Sequence, residues 1–88
     1  MKQPSRWRFE ISHNNSDWQL VTPSFYSGDN DQSFDLAQPI KHDRFDTIKM
    51  RFTRLDVIGE PWIEEHRQVS TNGTIARIEV RHTRLDAR

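Results

Sequence analysis

The chain has no cysteine. That excludes a disulfide framework and a thiolate metal site, and it fits a reducing compartment. Glycine (3) and proline (4) are also scarce, so each turn must be argued from the few residues able to make one. No apolar run approaches the roughly 18 residues of a membrane span. No window repeats apolar residues at helical spacing over three turns, which leaves the period-two alternation of strands as the organising pattern. Net charge is absent as well, because 13 basic and 13 acidic residues cancel. A neutral chain exerts no general pull on nucleic acid or on an anionic membrane. Residues Met1 to Arg6 hold no apolar stretch of the kind that marks a secretory leader, so the expected location is cytoplasmic and no membrane is expected as a partner.

What is present is a short chain with a modest apolar content. Its 88 residues form one domain, 1–88, with residues 1–5 and 85–88 expected to fray. Val, Ile, Leu and Phe number 20 of 88, just above the level of about 20% at which disorder sets in. A chain of this length buries only about 60–65% of its unfolded surface. The expected core is therefore thin, or completed by a partner.

Two stretches read as hairpins. Asn72-Gly73 separates the alternating runs Trp62–Val69 and Thr74–His82. Asn-Gly suits a two-residue type I′ turn, whose central positions both need φ > 0. That turn would set Val69 against Ala76, Arg67 against Ile78, Glu65 against Val80 and Ile63 against His82. The opposite face would pair His66 with Glu79 and Glu64 with Arg81, each pair contributing roughly 0.2–1 kcal/mol. Glu65 and Arg67 share a face with Ile63 and Val69, which marks 62–69 as an edge and 74–82 as more central. In the other stretch Trp7, Phe9 and Ile11 alternate with Arg8, Glu10 and Ser12. Asn14-Asn15 supplies the turn and places Ile11 against Trp18, Phe9 against Leu20 and Trp7 against Thr22.

Between the hairpins, Pro23 ends or bends a strand that Phe25-Tyr26 extends. A short strand around Phe34 and Leu36 stops near Pro39, and 40–44 is a connection. Phe45 to Leu55 is a further strand with Ile48, Met50 and Phe52 on one face and Lys49, Arg51 and Thr53 on the other. About six short strands with turn signals at this spacing predict an all-β fold. Its expected form is a single small antiparallel β-sandwich, or a partly open barrel, built from hairpins.

No catalytic or metal constellation emerges. Asp29, Asp31 and Asp35 echo a calcium loop, but Phe34 stands where the tight-turn glycine belongs and Ile40 where the bidentate glutamate belongs. His13, His42, His66 and His82 have no partner at ligand spacing. Adjacent His42 and Asp43 point apart on an extended chain. There is no phosphate loop or nucleophile elbow. The expectation is a protein that is not an enzyme, with no cofactor and no metal.

The stretch Phe9-Glu-Ile-Ser-His-Asn-Asn-Ser-Asp-Trp-Gln-Leu-Val21 resembles the strand, turn, Trp, strand segment of discoidin-like (coagulation factor 5/8 C-terminal type) β-sandwiches. Ser33–Ile40 followed by Ile48–Phe52 is similar to the segment after it, and Ile75–Val80 looks like the closing strand. The resemblance implies a sandwich rather than a barrel, and that family's ligands are usually glycans or membrane surfaces outside the cell. It assigns no binding residue here.

Three functions follow as expectations. The first is a binding protein that docks a protein partner or forms a homo-oligomer, as an adaptor or a phage-type inhibitor of a larger complex would. Arg, Trp and Tyr dominate interface hot spots, so Arg8, Tyr26, Arg51, Trp62 and Arg81 are the candidate contact residues. The second is a single-stranded nucleic-acid binder, in which Lys49, Arg51, Arg77 and Arg81 would share one face if strand 45–55 lay beside 74–82. The third is a glycan-binding sandwich with aromatic platforms near its loops.

Overall fold

The computed structural model describes residues 4–28, 30–81 and 85. Six strands follow one another: β1 (Arg6–His13), β2 (Gln19–Tyr26), β3 (Gln32–His42), β4 (Thr47–Arg54), β5 (Trp62–Gln68) and β6 (Gly73–Val80). They form two antiparallel sheets, one of four strands in the order β2-β1-β4-β5 and one of two strands, β3-β6. The fold is all-β, as the alternation predicts, and the two sheets do not close into a barrel.

Alternation decides what lies between the sheets. Trp7, Phe9 and Ile11 from β1 and Ile48, Met50 and Phe52 from β4 are all buried. Phe25, Leu36, Ile40, Ile78, Val80 and Leu85 complete the cluster. Phe9 faces Phe52 across the β1–β4 ladder, and their rings stack at 4.6 Å. Phe34 meets Phe9 edge-on at 5.9 Å and Phe25 at 5.0 Å. Four phenylalanines from four strands thus form the centre of the core.

The first hairpin forms with its turn as expected. Asn14 (φ 49°) and Asn15 (φ 61°) are both left-handed, and the Ser16 N–H donates to the His13 carbonyl at 3.0 Å. The register then slips. Gln19, not Trp18, stands opposite Ile11, and two further irregularities put Thr22 opposite Phe9 and Phe25 opposite Trp7. Pro23 lies in one of these irregularities and bends the strand without ending it.

The second hairpin does not form. β5 pairs with β4, and β6 pairs with β3 in the other sheet. Neither Asn72 nor Gly73 is left-handed, so no type I′ turn exists there. Asn72 instead uses its side-chain oxygen to accept the Arg44 N–H at 2.7 Å. The faces of β5, and of β6 from Arg77 to Val80, are nevertheless those read from the alternation, because period two fixes which side a residue faces and not which strand lies beside it. At the irregularity the facing reverses, so that Ile75 packs against the core and Ala76 is exposed. The expected His66–Glu79 and Glu64–Arg81 pairs are absent. His66 stands opposite Lys49, and Arg77 pairs with Asp35 at 2.9 Å. The proposed partner of Ile63, His82, lies outside the described residues. β5 is an edge, as expected, but β6 is also an edge of its two-stranded sheet rather than a central strand.

β3 is longer than the sequence suggests and runs through Pro39 to His42. Asp35 pairs with Arg77 and Ile40 with Ile75, so residues 36–39 bulge opposite Ala76 alone. A bulge is where a strand tolerates proline, since no ladder N–H is needed there. Toward the chain ends, the Ser5 carbonyl accepts the Ser27 N–H at 2.8 Å and Leu85 is buried in the core.

Candidate functional site

The outer face of the four-stranded sheet gathers the polar and aromatic residues that alternate with the core. β1 contributes Arg8 and Glu10, β4 contributes Arg51 and Thr53, and β5 contributes Trp62 and Glu64. The ladders set Arg8 beside Thr53, Thr53 beside Trp62, Glu10 beside Arg51 and Arg51 beside Glu64. A shallow cleft of about 300 Å³ opens here, lined by Arg8, Arg51, Thr53, Gly59, Glu60 and Trp62. Thr53 is its floor, only 3% exposed. Its wall is the turn before β5, where Gly59 takes φ 89°, a conformation that a side chain rarely adopts.

Glu10 organises the charge. One of its oxygens accepts from Arg51 Nε and lies 3.1 Å from a terminal nitrogen of the same guanidinium. It also lies 3.5 Å from Arg8 Nε. Arg8 reaches across to Glu60 at 3.9 Å. The Arg51 guanidinium lies over the Trp18 ring, 4.3 Å from its centroid. The Glu10–Arg51 pair is partly buried and the Arg8–Glu60 pair lies nearer solvent. Surface pairs are each worth about 0–1 kcal/mol and a surface cation–π contact about 0.5–1 kcal/mol. Their main effect is therefore to hold two long side chains in place, so that little rotamer freedom remains to be lost on binding.

Around the cleft the surface stays apolar in patches. Trp62 is 59% exposed, Tyr26 60% and Leu20 48%. Leu20 stands opposite Glu10 and Tyr26 opposite Arg6, so both belong to this same outer face. Of the five contact residues expected from sequence, Arg8, Arg51 and Trp62 meet in the cleft, and Tyr26 lies on the same face toward the 54–61 end. Arg81 does not join them, because it follows β6 in the other sheet.

The four-residue basic track is not assembled. β4 lies between β1 and β5, not beside β6. Lys49 and Arg51 face outward from one sheet, whereas Arg77 and Arg81 alternate with buried Ile78 and Val80 on the other. The core separates the two groups, and Arg77 is engaged by Asp35.

Glu10, Trp18, Thr53 and Glu60 belong to the site and were not singled out from sequence. A two-residue turn alone would set Trp18 against Ile11 in the core, and the one-residue slip after Asn14-Asn15 moves it to the outer face against Arg51. Glu10 carries a readable signal, since it shares a face with Arg8 on a strand whose other face opens with Trp7, Phe9 and Ile11. Comparison with protein-family models, curated proteins and solved structures finds no match to this chain.

Proposed function

We propose that this protein is a non-catalytic docking module that binds a protein partner through the outer face of its four-stranded sheet. The observation that carries the reading is the convergence of Arg8, Arg51 and Trp62 on one cleft, with exposed Trp62, Tyr26 and Leu20 beside it. Arg, Trp and Tyr are the types that dominate interface hot spots, and a ring of less critical contacts around them excludes water. The carboxylate of the cleft, Glu60, and the neighbouring Glu10 both face arginines, which suits recognition better than proton transfer.

The test is site-specific photocrosslinking in cells. A photoreactive residue at Leu20 should yield a discrete protein adduct that survives nuclease, and one at Arg77 on the opposite sheet should not. Arg51→Ala and Trp62→Ala should each weaken the captured complex, by about 2 kcal/mol or roughly thirtyfold for a hot spot. Equal adducts from both faces, or a Leu20 adduct indifferent to both substitutions, would count against the reading.

A glycan is the second reading, and exposed Trp62 beside the polar cleft favours it. Sugars stack on such rings while flanking charged groups take their hydroxyls. Oligosaccharide titration followed by tryptophan fluorescence checks it. A saturable change lost in Trp62→Ala supports the glycan, and a flat response removes it.

A further inference from the structure

β5 ends the four-stranded sheet, and among the described residues no strand pairs with the side of its backbone away from β4. The Arg54 N–H donates to the Pro61 carbonyl, the Val69 N–H to the Asp46 carbonyl and the Phe45 N–H to the Val69 carbonyl. With the register running from Thr47↔Gln68 to Thr53↔Trp62, residues 63, 65, 67 and 69 turn their N–H and C=O toward β4, and Pro61 turns its carbonyl the same way. The alternation of an antiparallel ladder then points those of Trp62, Glu64, His66 and Gln68 away from the sheet. All four residues are exposed. On the inner face of the same strand, Ile63, Glu65 and Val69 are half-buried and Arg67 is exposed, because the two-stranded sheet spans less width than the four-stranded one.

We infer that the protein forms a two-fold homodimer in which β5 pairs antiparallel with β5 of a second copy, with His66 on the axis. Only residues with the same backbone orientation can stand opposite one another in such a pair, so the axis must pass through a residue. On His66 it sets Ile63 against Val69 of the second copy and Glu65 against Arg67, and both contacts occur twice by symmetry. On the outer face Glu64 meets Gln68. Moving the axis to Glu65 sets Glu65 against itself, moving it to Arg67 sets Arg67 against itself, and moving it to Glu64 sets Glu64 against itself. One register therefore satisfies charge and apolar complementarity together.

This complementarity names the occupant. Inward charges on an edge strand repel an arbitrary strand, yet Glu65 and Arg67 are matched by their own reversed sequence. Selection against other partners and acceptance of a copy come from the same two side chains. The dimer would present one continuous sheet in the order β2-β1-β4-β5-β5-β4-β1-β2, with both Arg8–Arg51–Trp62 clefts on one side. That arrangement raises the avidity of the docking face for a repetitive partner, but the dimer itself does not depend on the docking reading.

Sedimentation equilibrium of the whole chain across a concentration series tests the inference. The expected species is a dimer of the 10.5 kDa chain. Glu65→Arg and Arg67→Glu should each raise the dissociation constant by about tenfold or more, since each sets like charges opposite one another twice. The double variant, Glu65→Arg with Arg67→Glu, should restore it. His66→Pro should abolish the dimer while keeping the β-sheet circular dichroism, because the His66 N–H is not used toward β4. A wild-type monomer at every concentration overturns the inference, as it would if a strand of another protein were the natural occupant. So does a dimer unmoved by the single reversals. Arg51→Ala should leave the mass unchanged, which keeps failure here separate from failure of the docking face.

Discussion

Asp46 shows how one carboxylate ties two loops together. Its Oδ2 accepts the Asp43 N–H at 2.8 Å and lies 2.8 Å from His13 Nε2. The Asp43 N–H first, then His13 and Asn14, hold its pKa at about 2 against an ordinary 3.8. A lowered pKa means stability that is complete above the unfolded value and is lost as the pH falls through the folded one. The stability difference between wild type and Asp46→Asn, from denaturant melts, should therefore be steady above about pH 5 and shrink toward pH 2. A difference that persists unchanged at the acid end would remove this assignment. Next to it, Phe45 sits at φ 72°, with Arg44 4.8 Å above its exposed ring. Phe45→Gly relieves about 1–2 kcal/mol of left-handed strain. It also loses about 0.5–1 kcal/mol of cation–π contact and adds about 0.4–1 kcal/mol of unfolded-state freedom. The melting midpoint should barely move despite the loss of a whole aromatic side chain.

Elements here are held together by side chains as well as by ladders. The bulge of β3 has no strand partner at Gln38, and β2 supplies one from a side chain. Gln19 Nε2 donates to the Gln38 carbonyl at 3.1 Å, and the Gln38 N–H donates back to Gln19 Oε1 at 3.0 Å. This reciprocal amide joins the edges of the two sheets where no backbone bridge exists. Gln19→Ala should lower stability by only about 1 kcal/mol, because both groups can turn to water. Its clearer signature is in hydrogen exchange, where the Gln38 amide should lose protection while the ladder amides of Phe34 and Ile78 keep theirs. Uniform exchange across β3 would mean that the bulge is fixed by something else. The pin also explains why Pro39 is compatible with a long strand, since the chain is held at Gln38 just before the residue that cannot donate.

At the scale of the whole molecule the core is small and its centre aromatic. Phe9 and Phe52 are fully buried and stacked, and each also belongs to a central strand. Truncating a buried phenylalanine costs about 3–5 kcal/mol, out of a total that for a domain is about 5–15 kcal/mol. Phe52→Ala should leave the chain largely unfolded or close to it at 37 °C, as read by loss of a cooperative thermal transition. A variant that still melts cooperatively within a few degrees of wild type would show that the stack is not the centre of the core. Among the described residues no helix is long and apolar enough to cross a membrane.

The sequence by itself determined that there are six strands, the faces of most of them and one turn. Trp7, Phe9 and Ile11 alternate with Arg8 and Glu10 whatever lies beside them, and two consecutive asparagines make a left-handed turn from local sterics alone. Arg8, Arg51 and Trp62 were legible as outward residues of contact-forming type for the same reason. Only the tertiary structure decided which strand each one joined. Asn72-Gly73 had the composition of a tight turn, but β5 has a better neighbour in β4, where Ile63 stands opposite buried Phe52. β6 closes the core from the other side through Ile78 and Val80. Strand pairing is a competition between distant segments for the same apolar surface, and a local signal is one small term in it. The cleft, the Gln19 pin and the self-complementary edge all depend on that competition, so none of them was visible until the partners were known.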